Sequence, residues 1–227
     1  MTDTASDPLA VLARLLTAPA AHAASSPAGA LLVAVAALLT RADAAAALRL
    51  PVVDDRDVRV VIQRGHVVEL GGLPVERLLR LTGARPVEIG AVDHCAAAEL
   101  QAVLADGAAG AVFVERPEAA GAGLIGPSAF VWACRQAAVP CLVVAAGTPL
   151  PALDAGADLA LVDLAATYGG NELGLVVGRA DLIAACALQQ LGLGRLFRPD
   201  AAAMAAAVAA VRATAADPAA GLAQADL

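Results

Sequence analysis

The stretch "LALVDLAATYGGNELGLVVG", residues 159–178, decides the fold. Two short apolar runs, 159–163 and 173–178, flank a loop that starts at Asp163 and contains the pair Gly169–Gly170. Short runs of Leu and Val without polar alternation mark strands buried on both faces of a sheet. A polar residue at such a strand end, followed by glycines, is how an open α/β sheet builds a ligand loop at its carboxyl edge.

The same pattern recurs upstream in "VRVVIQ" (58–63), "RPVEI" (85–89), "AVFVE" (111–115) and "PCLVVAA" (140–146). Helix-period segments alternate with these strands: "LPVERLLRLTG" (73–83), "HCAAAELQAVLADG" (94–107), "GPSAFVWACRQAA" (126–138) and "ADLIAACALQQLG" (180–192). Several close on Gly, and Pro127 sits at an early helical position, as helix ends favour. The alternation predicts a three-layer α/β sandwich around a mostly parallel sheet. Residues 1–19 read as an N-terminal helical arm and 20–24 as a weak Ala run. Residues 20–214 read as a single α/β domain ending in an Ala-rich helix over 200–214, and 215–227 as a flexible tail.

Hydrophobic residues make up 59% of the 227, much of it Ala, and aromatics only 2%. Such a core packs through close backbone approach. The longest apolar run, "AGALLVAVAALL" (28–39), is about half a bilayer span and reads as a buried core helix. The net charge of −7, with no basic stripe interleaved with aromatics, argues against nucleic-acid binding. The acidic start "MTDTASD" does not resemble a secretory leader, and a cytoplasmic protein without a membrane span is expected. Cys95, Cys134, Cys141 and Cys186 are scattered and show no metal-ligand spacing, so free thiols are expected and no metal.

"GAGLIG" (121–126) matches the dinucleotide fingerprint, but it lies several residues past its strand and lacks the later acidic residue, so it reads as a loop before a helix. "ASSPAG" (24–29) offers Ser25 or Ser26 as an N-cap with Pro27 behind it, a geometry that also presents N–H groups to an anion. "QRGHVVE" (63–69) places Arg64 and His66 past a strand end. His22 and His94 read as solvated or capping residues. No nucleophile elbow, zinc-protease helix or P-loop occurs.

The order of "RVVIQRGH", "RLLRLTGARPVEIG", "AVPCLVVAAGTPLP", "AGADLALVDL" and "LGLVVGRADLIAACALQQLGLGRLFRPD" resembles the selenocysteine synthase superfamily, in the branch of the D-glucosaminate-6-phosphate ammonia-lyases. These are pyridoxal-phosphate enzymes of the aspartate-aminotransferase fold. The resemblance runs from about residue 20 to residue 212 and implies the large domain of that fold, without most of the family's N-terminal arm or its C-terminal small domain. It implies three parts for the chemistry: a Schiff-base lysine, an aspartate for the pyridine nitrogen, and a Ser/Gly-rich turn for the phosphate.

The lysine position falls at or beside Ala166, and the chain contains no lysine, all 15 basic residues being Arg. The aspartate position falls on Val144. The phosphate turn is half kept as "SSPAGA", with Ser25, Ser26 and Gly29, and the family's Arg-Gly-His is kept as Arg64 and His66. No covalent pyridoxal phosphate is therefore expected. The expected role is a non-catalytic partner subunit that completes or stabilises a catalytic paralogue, or associates with itself. The alternative is a retooled enzyme or a binder of a small phosphorylated ligand, non-covalent pyridoxal phosphate included, using Ser25, Ser26, Gly29, Arg64, His66 and Asp163.

Overall fold

A computed structural model describes residues 7–53, 58–117 and 123–216. In chain order the strands are β1 (Ala20–Ala24), β2 (Arg59–Gln63), β3 (Glu69–Leu70), β4 (Leu73–Pro74), β5 (Arg85–Ile89), β6 (Gly110–Val114), β7 (Cys141–Ala145), β8 (Leu159–Asp163) and β9 (Gly174–Gly178). The helices are α1 (Pro8–Leu15), α2 (Pro27–Thr40), α3 (Ala44–Arg49), α4 (Val75–Leu81), α5 (Ala97–Ala105), α6 (Pro127–Gln136), α7 (Leu150–Asp154), α8 (Leu164–Tyr168), α9 (Ala180–Leu188) and α10 (Ala201–Ala216).

Seven strands form one sheet in the order β1-β9-β8-β7-β6-β2-β5, and β3–β4 make a separate hairpin. The pairs β8–β7, β7–β6, β6–β2 and β2–β5 are parallel, and β9 runs antiparallel to both neighbours. The sheet is therefore mostly parallel, and helices cover both faces. On one face α1, α5, α6 and α10 pack over Phe113, Val143 and Val162; on the other α2, α4 and α9 pack over Val112, Val144 and Leu161. Covered on both sides, β6, β7 and β9 are buried along their whole length. That is why their sequences run apolar without alternation.

Helix α2 is buried from Gly29 to Thr40, apolar on every side, because it lies between the sheet and α9. Its close approach depends on glycines: a Cβ at Gly174 would run into Ala30, and one at Gly110 into Leu38. Its one polar interior group is satisfied, since the Thr40 hydroxyl donates to the Ala36 carbonyl (2.9 Å) and accepts from Gln189 Nε2 (2.8 Å). No helix among the described residues is long and apolar enough to cross a membrane.

The sheet has a strand that the sequence reading lacks. The Ala run 20–24 is β1, paired antiparallel with β9 from Ala20↔Gly178 to Ala24↔Gly174. Alanine has little strand preference of its own. The open edge of β9 supplies the pairing, and α1 and α9 pack against the new strand. Helix α1 buries Val11 and Leu12 against this part of the core. Helix α10 runs on to Ala216, and the rest of the expected tail, 217–227, lies outside the described residues, as do Gly121 and Ala122 of "GAGLIG". The described part of that motif leads to Gly126, which precedes α6, as a loop before a helix should.

Candidate functional site

Strands β1, β2, β5, β6, β7 and β8 all point the same way, so their carboxyl ends and the start of α2 share one edge, where α/β folds place ligands. Ser26 N-caps α2: its Oγ accepts the Gly29 N–H at 3.1 Å, and Pro27 occupies the first helical position. Ser25 is exposed, and its N–H donates to the Phe197 carbonyl at 2.8 Å. The Phe197 ring lies against Gly29, where any side chain would meet it. The cap is thus the role seen for "ASSPAG".

Asp163 ends β8 and caps α8, its Oδ1 accepting the Ala166 N–H at 3.1 Å. Gly169 closes that short helix with a left-handed φ of 64°. Asp163 pairs across to Gly174, and Gly174 packs directly on Ser26 and Pro27. The fold therefore brings Asp163 close to the start of α2.

Arg64 and His66 form a 3-10 turn after β2. Arg64 Nε pairs with Glu88 Oε2 at 3.0 Å on the surface. His66 is buried and turns inward: Nδ1 donates to the Val114 carbonyl at 2.5 Å, and the ring tilts on Phe113 with centroids 4.5 Å apart. A carbonyl only accepts, so this bond places the proton on Nδ1. With β6 and β7 between them, β2 and β8 are separated by about 14 Å, at ~4.8 Å per strand. The candidate residues thus form two groups along the edge, Ser26–Gly29–Asp163 and Arg64–His66.

Pyridoxal phosphate, the group implied by the resemblance, needs an amine to hold its aldehyde and an anion beside its ring nitrogen. Ala166 is an exposed alanine in α8, and the chain has no lysine to replace it. Val144 is buried in the apolar cluster that faces α2. The nearby carboxylate, Asp163, is engaged as a helix cap. The residues present do not fit a lysine-bound cofactor. On the opposite side of the same edge, a cavity of about 530 Å³ opens between the 146–150 loop, α8 and α10. Ala166, Thr167 and Tyr168 line it, and burial pushes the Tyr168 hydroxyl up to about 12, which keeps it neutral. Among the described residues, its walls include no carboxylate, thiol or imidazole.

Sequence reasoning missed three further residues. Gln63 is fully buried and holds the segment before α6, donating to the Ile125 carbonyl (3.1 Å) and accepting the Ile125 N–H (2.9 Å). Arg116 donates to the Gly65 carbonyl at 2.6 Å and so pins the turn of Arg64 and His66. A polar residue closing an apolar strand was the available signal for both. His22, read as solvated or capping, is instead buried in β1, with Nε2 lacking a hydrogen-bond partner. Burial lowers its pKa to about 4.

No protein-family model matches the sequence. The chain is 32% identical over 166 residues to a 5'-C-glycyluridine monooxygenase-decarboxylase of Streptomyces sp, a match covering 72% of this chain and 42% of that protein. It is 29% identical over 168 residues to the D-glucosaminate-6-phosphate ammonia lyase of Salmonella typhimurium, covering 73% and 45%. The chain thus spans less than half the length of these curated relatives. A solved D-glucosaminate-6-phosphate ammonia-lyase superposes with a TM-score of 0.85 at 26% identity, over 91% of this chain and 56% of that one. A pyridoxal-5'-phosphate-dependent protein from Escherichia coli shares the fold, with a TM-score of 0.65 at 16% identity, over 90% and 51%. By sequence and by fold, the chain is a homologue of D-glucosaminate-6-phosphate ammonia lyase within the fold type I superfamily of pyridoxal-phosphate enzymes.

Proposed function

We propose that the chain is a non-catalytic partner subunit, which stabilises or completes a lysine-bearing pyridoxal-phosphate enzyme of its own superfamily. The observation that carries this reading is a fold matched over 91% of the chain, with alanine at the position the resemblance gives to the Schiff-base lysine and no lysine elsewhere in the sequence. Fold and site separate readily, because the core pattern that specifies the sheet does not depend on the residues at its edge. The apolar Val144 and the engaged Asp163 support the same reading. Four free, buried cysteines fit a reducing compartment such as the cytoplasm.

A phosphorylated ligand in the old crevice is supported less well. It would have to compete with the Ser26 cap and with the Arg64–Glu88 pair. The test is co-expression with a lysine-bearing homologue encoded in the same genome. A tagged copy of this chain should retain the homologue at fixed stoichiometry, and the pair should turn over faster than the homologue alone. A chain that ignores every such homologue overturns the reading.

A further inference from the structure

The cavity between the 146–150 loop, α8 and α10 measures about 530 Å³, within the range of small-ligand sites. Leu16, Leu150, Val211 and Ala166 contribute apolar walls. Among the described residues no charged side chain lines it. Its hydroxyls differ in how they are engaged. Thr167 Oγ1 donates to the Gly147 carbonyl at 3.5 Å, and Thr214 Oγ1 donates to the Ala210 carbonyl at 3.3 Å. Thr148 is exposed to water.

Tyr168 is different. It is 9% exposed, and its hydroxyl makes no hydrogen bond among the described residues. Nor is that oxygen sealed in the core: the polar atoms that lack both a partner and solvent belong to His22, Glu76, Asn171 and Gln189. The Tyr168 hydroxyl, on the cavity wall, is therefore reachable from the cavity. A tyrosine this buried ordinarily finds an acceptor for its O–H. Burial holds the phenol protonated at neutral pH, so it is able to donate. An anion such as a phosphate ester would enter these apolar walls without a cation to meet it, which is costly. A neutral, mostly apolar molecule with one acceptor meets both the walls and the hydroxyl.

We propose that this cavity is a binding site for a small neutral molecule of the ketone or ester class, its carbonyl accepting from the Tyr168 hydroxyl and its hydrocarbon part packed on Leu16, Leu150 and Val211. The proposal does not rest on the partner role.

The test uses the full chain and two probes of equal length, octan-2-one and octanoate. Tyr168 is the one tyrosine and Trp132 the one tryptophan, so ring-labelled Tyr gives a single NMR reporter and the exposed Trp132, outside the cavity, gives a control. Octan-2-one should saturate and shift Tyr168 but not Trp132. Octanoate should bind at least about ten-fold more weakly. Tyr168→Phe, followed through the Val211 methyl groups, should weaken the ketone by about five-fold, the scale of one neutral hydrogen bond. Ala166→Trp should fill the cavity and abolish binding, and Ala166 is exposed, so that variant should fold. The proposal is overturned if the ketone leaves Tyr168 unmoved, if octanoate binds equally well, or if Tyr168→Phe binds the ketone as the parent does. It is also overturned if the ketone binds only to a chain ending at Ala216, since the segment 217–227 would then be the occupant.

Discussion

At the residue scale, the positions that the resemblance gives to the lysine and the aspartate are Ala166 and Val144. Ala166 is exposed, so Ala166→Lys should change stability by no more than about 0.5 kcal/mol. Val144 is buried against α2, so Val144→Asp should cost about 2–4 kcal/mol by burying a carboxyl group in an apolar cluster. Chemical denaturation of both variants checks this asymmetry; equal costs would contradict the view that the two positions now sit in opposite environments. His22 gives a pH prediction. Its pKa is about 4 when folded, against 6.5 for the free side chain, so the unfolded chain binds the proton more readily. The stability from keeping it neutral is complete above about pH 6.5 and falls away as the pH drops toward 4, by about 3 kcal/mol in all. In melts at about pH 7 and about pH 4.5, His22→Leu should lose this part of the pH dependence.

At the scale of elements, removing the cap of α2 by Ser26→Ala should cost about 1 kcal/mol, measured as a shift in the denaturation midpoint. Gly178→Ala should cost more. Its φ of 143° is costly for an L side chain, and the new Cβ would collide with the Asp158 carbonyl where β9 ends beside β8. The central strands were legible because each is a bounded apolar run, and α2 because it is apolar for its whole length. Strand β1 was not legible, since "AAHAA" is a strand only where β9 leaves an edge to pair with. The short helices α3, α7 and α8 are too brief for periodicity to show. At the site, the missing lysine was a certainty from the sequence. The inward turn of His66 was not, because a carbonyl on β6 and a ring on Phe113 decide it. The pairing of Arg64 with Glu88 likewise depends on β2 and β5 lying side by side.

At the scale of the whole molecule, the seven-stranded, mostly parallel sheet is kept, and the sequence holds no lysine for the edge where the resemblance places one. The superposition on D-glucosaminate-6-phosphate ammonia-lyase extends over 91% of the chain and 56% of that enzyme. The decisive measurement is light scattering on the co-expressed chain and a lysine-bearing homologue from the same genome, separated by size. The account predicts one species containing both chains at fixed stoichiometry, with pyridoxal phosphate bound only to the homologue. Two separate species, each with the mass it has when expressed alone, would contradict it.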